Sequence, residues 1–262
     1  MSQALLRNFI PAALWLALCL LPGTLRAQSE IHLQLGRLVN PFSGEQARTR
    51  ILTYQYAGSW ALGENYLFVD FLDDDLNDGF NDQNFYTEWY PTVNLSNLQS
   101  REPWSGAVRD VGFIAGINAE GDPDVLKLLP GLRLSWNVPG FVFFNTDYTL
   151  MLDRSDGLAQ GGAPATGDQA MFDISWGKAF TLGGHAFWFT GHIEYISGTY
   201  TENGARVRDW ILAQPQLGWD LGKWLFNVEN QLFLGIEYQY WKNKLGANES
   251  DNTPQLWVMW RI

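Results

Sequence analysis

The chain has 262 residues, with 28 acidic against 17 basic side chains and a formal net charge of −11. Because phosphate contacts need clustered lysine and arginine, this balance argues against nucleic acid as a partner. Aromatic residues make up 15% of the chain, yet the mean hydropathy is only −0.16. Strands with one apolar, aromatic face and one polar face reconcile these two values.

The N-terminal segment is predicted to be a signal peptide, residues 1–27. Arg7 precedes the apolar run Phe9–Leu21, which is too short for a membrane-spanning helix, and a cleavage site follows Ala27. An uncleaved anchor is the alternative. Cys19 is the only cysteine and lies in this segment, so the mature chain is expected to have no disulfide.

Alternating segments recur through residues 28–262. In the fourth, Phe85, Thr87 and Trp89 share one face, while Tyr86 and Glu88 share the other. Such segments are about 9 to 14 residues long, as expected of tilted strands that cross a bilayer. We predict about 12 strands, the first being short, which begin near Ile31, Thr49, Asn65, Asn84, Ala107, Leu126, Phe141, Asp168, His185, Val207, Leu232 and Pro254.

The connections alternate between tight turns such as Gly183-Gly184 and longer polar loops such as Asp153–Gly167. Short turns at one end and long loops at the other are typical of outer-membrane barrels. The sequence therefore predicts an all-β fold: one transmembrane antiparallel barrel over 28–262, located in the outer membrane, with both termini periplasmic. A soluble β-sandwich is the alternative, but it would expose large aromatic patches to water.

Several stretches resemble the nucleoside-specific channel-forming porins, the Tsx and OmpK family. The most specific are Gly235–Lys244 (GIEYQYWKNK) and Pro254-Gln255-Leu256, and further matches are Tyr66–Phe71, Asn84–Trp89 and Gln214–Leu217. They occur in the family's order, whereas the region from Asp153 to Tyr200 matches poorly. The resemblance implies a monomeric 12-stranded barrel that carries nucleosides through a narrow lumen.

The strand face opposite the aliphatic residues is predicted to line the lumen. Its aromatic rings can stack on a flat base, and its carboxylates and amides can bind hydroxyl groups without requiring a charged solute. We therefore predict an outer-membrane channel for small polar solutes, with nucleosides preferred and no cofactor. The candidate binding residues are Phe68, Asp70, Tyr86, Glu88, Gln216, Glu237, Gln239 and Trp241, and the wider lining adds Tyr66, Arg133, Asp147, Asp173, Trp188, His192, Glu194, Gln214 and Arg261.

Two other functions stay open at this point. The first is a lipid-modifying enzyme, since His192 and Glu194 lie two residues apart and share a face; however, no Gly-x-Ser-x-Gly elbow occurs. The second is a plugged barrel with a structural or receptor role, in which phage could bind the outer loops. Structural pairing inside the wall is also an ordinary role for lumen carboxylates.

The acidic loop Asp73–Gly79 fails the EF-hand pattern, because Asp78 stands at position 6 and Asn84 at position 12. We expect a solvated loop that contacts lipopolysaccharide through divalent ions or attracts cations to the mouth.

Overall fold

The computed structural model describes residues 26–262. The predicted signal peptide and Cys19 therefore lie outside the described residues, apart from Arg26 and Ala27, which begin the first strand. Within the described residues, no helix is both long enough and apolar enough to cross a membrane.

The elements run in chain order with short connections. They are β1 (Arg26–Val39), β2 (Gln46–Trp60), β3 (Gly63–Asp73), β4 (Asn84–Asn94), α1 (Leu95–Leu98), β5 (Val108–Glu120), β6 (Val125–Trp136), β7 (Phe143–Asp153), β8 (Gln169–Leu182), β9 (His185–Ile196), β10 (Thr199–Tyr200), β11 (Arg206–Val207), β12 (Trp210–Ala213), β13 (Gln216–Asp220), α2 (Leu221–Phe226), β14 (Leu232–Lys242) and β15 (Asp251–Arg261). Short 3-10 turns cover Leu158–Gln160 and Lys244–Gly246.

Each wall strand pairs antiparallel with its neighbour, and β1 pairs with β15 to close the sheet, with Glu30 opposite Arg261. The short strands β12 and β13 both lie between β9 and β14, so they are two halves of one wall strand. The wall therefore has 12 strands, which confirms the predicted all-β antiparallel barrel. Closure leaves no unpaired strand edge, as a membrane barrel requires.

The structure corrects two of the predicted strand limits. The first strand is not short, because it covers Arg26–Val39 and pairs with β2 along its whole length. The tenth wall strand begins at Trp210 rather than Val207. Val207 instead belongs to a two-stranded hairpin, formed by β10 and β11, which is a separate sheet from the barrel wall.

The interruption between β12 and β13 falls at Gln214 and Pro215. Proline has no backbone N–H for a ladder bond, but its carbonyl still accepts from the Tyr238 N–H at 2.9 Å. Gly191 faces this point with a φ of +135°, and a Cβ there would lie 2.3 Å from the Gln214 carbonyl oxygen. Only glycine fits this close approach, which holds Gln214 against β9.

The outer face of the barrel is apolar. Leu33, Leu150, Ile236 and Leu256 are each about half exposed, as are aromatic residues such as Phe71. So much contiguous apolar surface suits lipid rather than water. Together with the closed wall, this surface is that of an outer-membrane β-barrel.

The two ends of the barrel differ. Both Arg26 and Ile262 lie at one end, which we call the terminal end, and Ile262 donates its N–H to the Ser29 carbonyl at 2.9 Å. Two connections there are longer than a tight turn, and each contains a helix, α1 or α2. The opposite end, which we call the loop end, carries the longer connections 74–83, 154–168, 197–209 and 243–250.

Candidate functional site

The inner face of β3 and β4 carries a row of aromatic rings. The ring centroids of Tyr66 and Phe68 are 6.1 Å apart, and those of Phe68 and Tyr86 are 5.9 Å apart. Tyr66 also donates to the Gln55 amide oxygen at 3.0 Å. The row arises because even-numbered positions of β3 and β4 point inward, and Asp70 pairs with Tyr86 across the ladder.

Carboxylates flank this aromatic row. The Asp70 carboxylate accepts a hydrogen bond from the Thr53 hydroxyl. The Glu88 carboxylate accepts from the Tyr86 hydroxyl and from the Asn118 amide, the latter at 2.9 Å. Every donor here is neutral, so these contacts leave the negative charges of the two carboxylates uncompensated.

Glu237 is the centre of a glutamine cluster deep in the barrel. Its carboxylate accepts from the side-chain amides of Gln34 and Gln216 at 2.5 Å each, Gln255 at 2.9 Å and Gln214 at 3.3 Å. Glu237 is only 2% exposed. The four amide donors fix the position of the Glu237 carboxylate. A hydroxylated solute could donate a hydrogen bond to this carboxylate only by displacing one of the amides.

His192 lies beside this cluster on β9. Its Nδ1 is 2.9 Å from Asp173 Oδ2, and its Nε2 is 2.9 Å from the Gln214 amide oxygen. An acyl-transfer enzyme would need a serine or other nucleophile at that Nε2. Gln214 occupies that position instead, so the contacts of His192 give no support to the enzyme alternative.

The basic residues of the lumen are engaged in ion pairs. Arg133 makes a two-pronged contact with Asp147, with Nε–Oδ1 at 2.8 Å and Nη2–Oδ2 at 2.6 Å. The Arg261 guanidinium contacts Glu30 at 2.7 Å and lies over the Trp188 ring. Neither guanidinium is therefore free to attract an anionic solute.

An apolar cluster occupies part of the lumen towards the loop end. Its buried members are Tyr90, Ile114, Leu129, Met151, Met171, Ile196, Val207 and Trp210. Tyr66 and Trp241 pack against it, so the cluster is continuous with the aromatic row. A second cluster, Phe233, Trp257 and Met259, contacts Trp188. These clusters narrow the lumen.

At the loop end, the connection between β14 and β15 places Lys244 in the interior. Its ammonium donates to the Val39 carbonyl at 2.7 Å and to Asp251 at 3.0 Å, and it faces the rings of Phe80 and Trp241. Lys244 is only 1% exposed. Burial lowers the pKa of Lys244 below its usual value, and the ion pair with Asp251 opposes that shift.

The acidic loop between β3 and β4 satisfies its carboxylates with its own surroundings. Asp75 accepts from the Arg48 N–H at 2.7 Å, and Asp78 accepts from the Asn40 amide at 2.8 Å. Burial, together with the neighbouring aspartates, raises the pKa of Asp74 although the Leu76 N–H donates to it. These contacts fasten the loop to the mouth, while Asp75, Asn77, Asp78 and Gly79 are exposed, as the sequence predicts.

All eight candidate binding residues face the interior, but they do not form one compact site. Phe68, Asp70, Tyr86 and Glu88 lie together on β3 and β4. Gln216 and Glu237 form the glutamine cluster, while Gln239 contacts Asp251 at 3.0 Å near the loop end. Trp241 packs on the apolar cluster and faces Lys244.

The sequence interpretation missed the inner face of β1, namely Glu30, His32 and Gln34, all of which are buried. Their alternation with Ile31, Leu33 and Leu35 was visible in the sequence. Lys244 was also missed, and no local pattern could have found it, because its partners Val39 and Asp251 come together only when the barrel closes.

Comparison with known proteins gives a fold rather than a family. No family model matches the chain, and no curated protein matches it. Among solved structures, the NanC porin covers 88% of this chain and 100% of its own, with 13% identity and a TM-score of 0.52. The KdgM porin covers 88% and 98%, with 12% identity and a TM-score of 0.46. The likeness to the NanC porin shows that the chain has the fold of a porin-type β-barrel.

Proposed function

We propose that the protein is an outer-membrane channel for small polar solutes and that nucleosides are its preferred solutes. The observation that carries this proposal is the row of Tyr66, Phe68 and Tyr86 beside the carboxylates of Asp70 and Glu88. A base can stack on such rings for about 1–3 kcal/mol, and ribose hydroxyls can donate to carboxylates. The sequence resemblance to nucleoside-specific porins supports the same solute.

The charge of the lumen favours neutral over anionic solutes. Arg133 and Arg261 are held by Asp147 and Glu30, whereas Asp70, Glu88 and Glu237 accept hydrogen bonds from neutral donors. A phosphorylated or acidic solute would meet these carboxylates while the guanidinium groups of Arg133 and Arg261 are already paired, so repulsion is expected. We therefore infer that nucleosides pass more readily than nucleotides.

Replacing Phe68 with leucine is expected to weaken block of the channel current by adenosine about tenfold. A tenfold loss of affinity corresponds to about 1.4 kcal/mol, which lies within the range expected for one stacking contact. The measurement is single-channel current in planar bilayers across a nucleoside titration. Phe71→Leu is the matched control, because Phe71 lies on the same strand but is 53% exposed on the outer face. Equal block in both variants would contradict the proposed site.

A closed, structural barrel is the second candidate, and the apolar cluster with the inward Lys244 loop favours it. In that case the wild-type protein would conduct no current at any solute concentration. The same bilayer measurement separates the two functions, since a current that nucleosides block requires an open path through the lumen.

A further inference from the structure

Asp173, His192 and Glu194 converge inside the barrel, where β8 pairs with β9. Asp173 stands directly opposite Glu194 in the ladder, and the His192 Nδ1 is 2.9 Å from Asp173 Oδ2. One ligand atom from each of the three side chains lies within 4.8 Å of the other two. Asp173 and Glu194 are 8% and 7% exposed, so the group belongs to the interior and not to the outer loops.

Hydrogen bonds outside this group orient the imidazole. The Gln239 amide nitrogen donates to Asp251 at 3.0 Å, so the Gln239 amide oxygen points towards Gln214. The Gln214 amide nitrogen donates to that oxygen and to Glu237, each at 3.3 Å. Its own oxygen is then left for the His192 Nε2–H at 2.9 Å. Nδ1 then faces Asp173 Oδ2 at 2.9 Å, where a second ring proton forms the contact and a metal ion would displace that proton. Metal-bound histidines are held in this way by a second partner.

The charge of the group is not balanced by other side chains. In the part of the chain that the structure describes, Glu194 forms no ion pair within 4 Å, and Asp173 forms one only with His192. The indole of Trp210, a neutral donor, interacts with Glu194. Arg133 is committed to Asp147, and the nearby Glu88 adds negative charge. Apart from His192 when it is protonated, these two buried carboxylates have no cationic partner among the described residues, and a divalent ion could supply one.

We propose that Asp173, His192 and Glu194 bind a divalent transition-metal ion, Zn²⁺ or one of similar ligand preference, within the lumen. Imidazole nitrogen and carboxylate oxygen are both zinc ligands, and three protein ligands leave a position for water or a solute oxygen. The ion would narrow the path beside the glutamine cluster. This proposal does not rest on transport, because binding can be measured in a barrel that conducts nothing.

The test is calorimetric titration of the refolded, detergent-solubilised mature chain with ZnCl₂ near neutral pH. We expect one equivalent to bind with micromolar affinity, and Co²⁺ to give visible absorption bands when it occupies the same site. His192→Gln and Glu194→Gln should each weaken binding at least tenfold. Gln214→Met should weaken it about 10- to 100-fold, since it removes only the partner that orients the imidazole.

His185→Gln is the matched control, because His185 begins the same strand but is exposed at the terminal end. It should bind Zn²⁺ as the wild type does. The absence of saturable binding to the wild type would overturn the proposal. So would binding that persists in His192→Gln, or binding that is lost in His185→Gln, because the ion would then be held elsewhere. Circular dichroism and heat-modifiable gel mobility verify that each variant is folded.

Discussion

Replacing Arg133 with methionine is expected to lower the free energy of unfolding by about 3–5 kcal/mol. The guanidinium donates two hydrogen bonds to Asp147 inside the lumen, and Arg133 is only 8% exposed. Without it, a buried carboxylate loses its partner in a poorly solvated interior. The measurement is urea unfolding in lipid vesicles, followed by tryptophan fluorescence.

Arg50→Met provides the control. Arg50 pairs with Asp73 at 3.0 Å, but the two side chains are 57% and 46% exposed, so the loss should stay below about 1 kcal/mol. The double variant Arg133→Met/Asp147→Leu should recover most of the lost stability, because it removes both charges together. A single Arg133 variant as stable as the Arg50 variant would show that the lumen is well hydrated at this point.

Replacing Lys244 with methionine is expected to open the loop end and raise the channel conductance. The change deletes the donor to the Val39 carbonyl and leaves Asp251 without its cation. Losing these contacts costs the closed loop about 2–3 kcal/mol, which shifts the ratio of open to closed loops by roughly 30- to 160-fold. Single-channel recording measures the change in current and open time.

Lys242→Met is the matched control, since it removes the same charge from an exposed position at the end of β14. Its conductance should remain that of the wild type. If both variants raise the current equally, the effect comes from the net charge of the mouth and not from the buried contacts of Lys244.

The fold could be predicted from the sequence to a large extent, because alternation is a local property. Once Phe85, Thr87 and Trp89 face lipid, Tyr86 and Glu88 must face the lumen. The period of two thus predicted the wall, the strand number and the inward face of all eight candidate residues. It failed at Val207, which belongs to a short hairpin separate from the wall and not to the tenth wall strand.

The site could not be predicted in the same way, because its contacts join distant strands. Gln34 and Glu237 come within 2.5 Å only because β1, β15 and β14 are neighbours in the closed barrel. Likewise, the histidine and glutamate of β9 were visible as a pair in the sequence, but Asp173 and Gln214 reach His192 from the two adjacent wall strands.

The sequence by itself determined that this protein is a 12-stranded barrel with an acidic, aromatic inner face. The alternation of inward and outward residues along a strand, and the composition of each face, can be seen directly in the order of residues. Only the tertiary structure decided which inward side chains meet. Strand register pairs Arg133 with Asp147 and brings Asp173 and Glu194 to His192, while closure of the barrel pairs Arg261 with Glu30 and buries Lys244 at the mouth. These contacts depend on the register between strands and on the curvature of the sheet. Both are properties of several strands together, so the sequence of a single strand carries no pattern that predicts them.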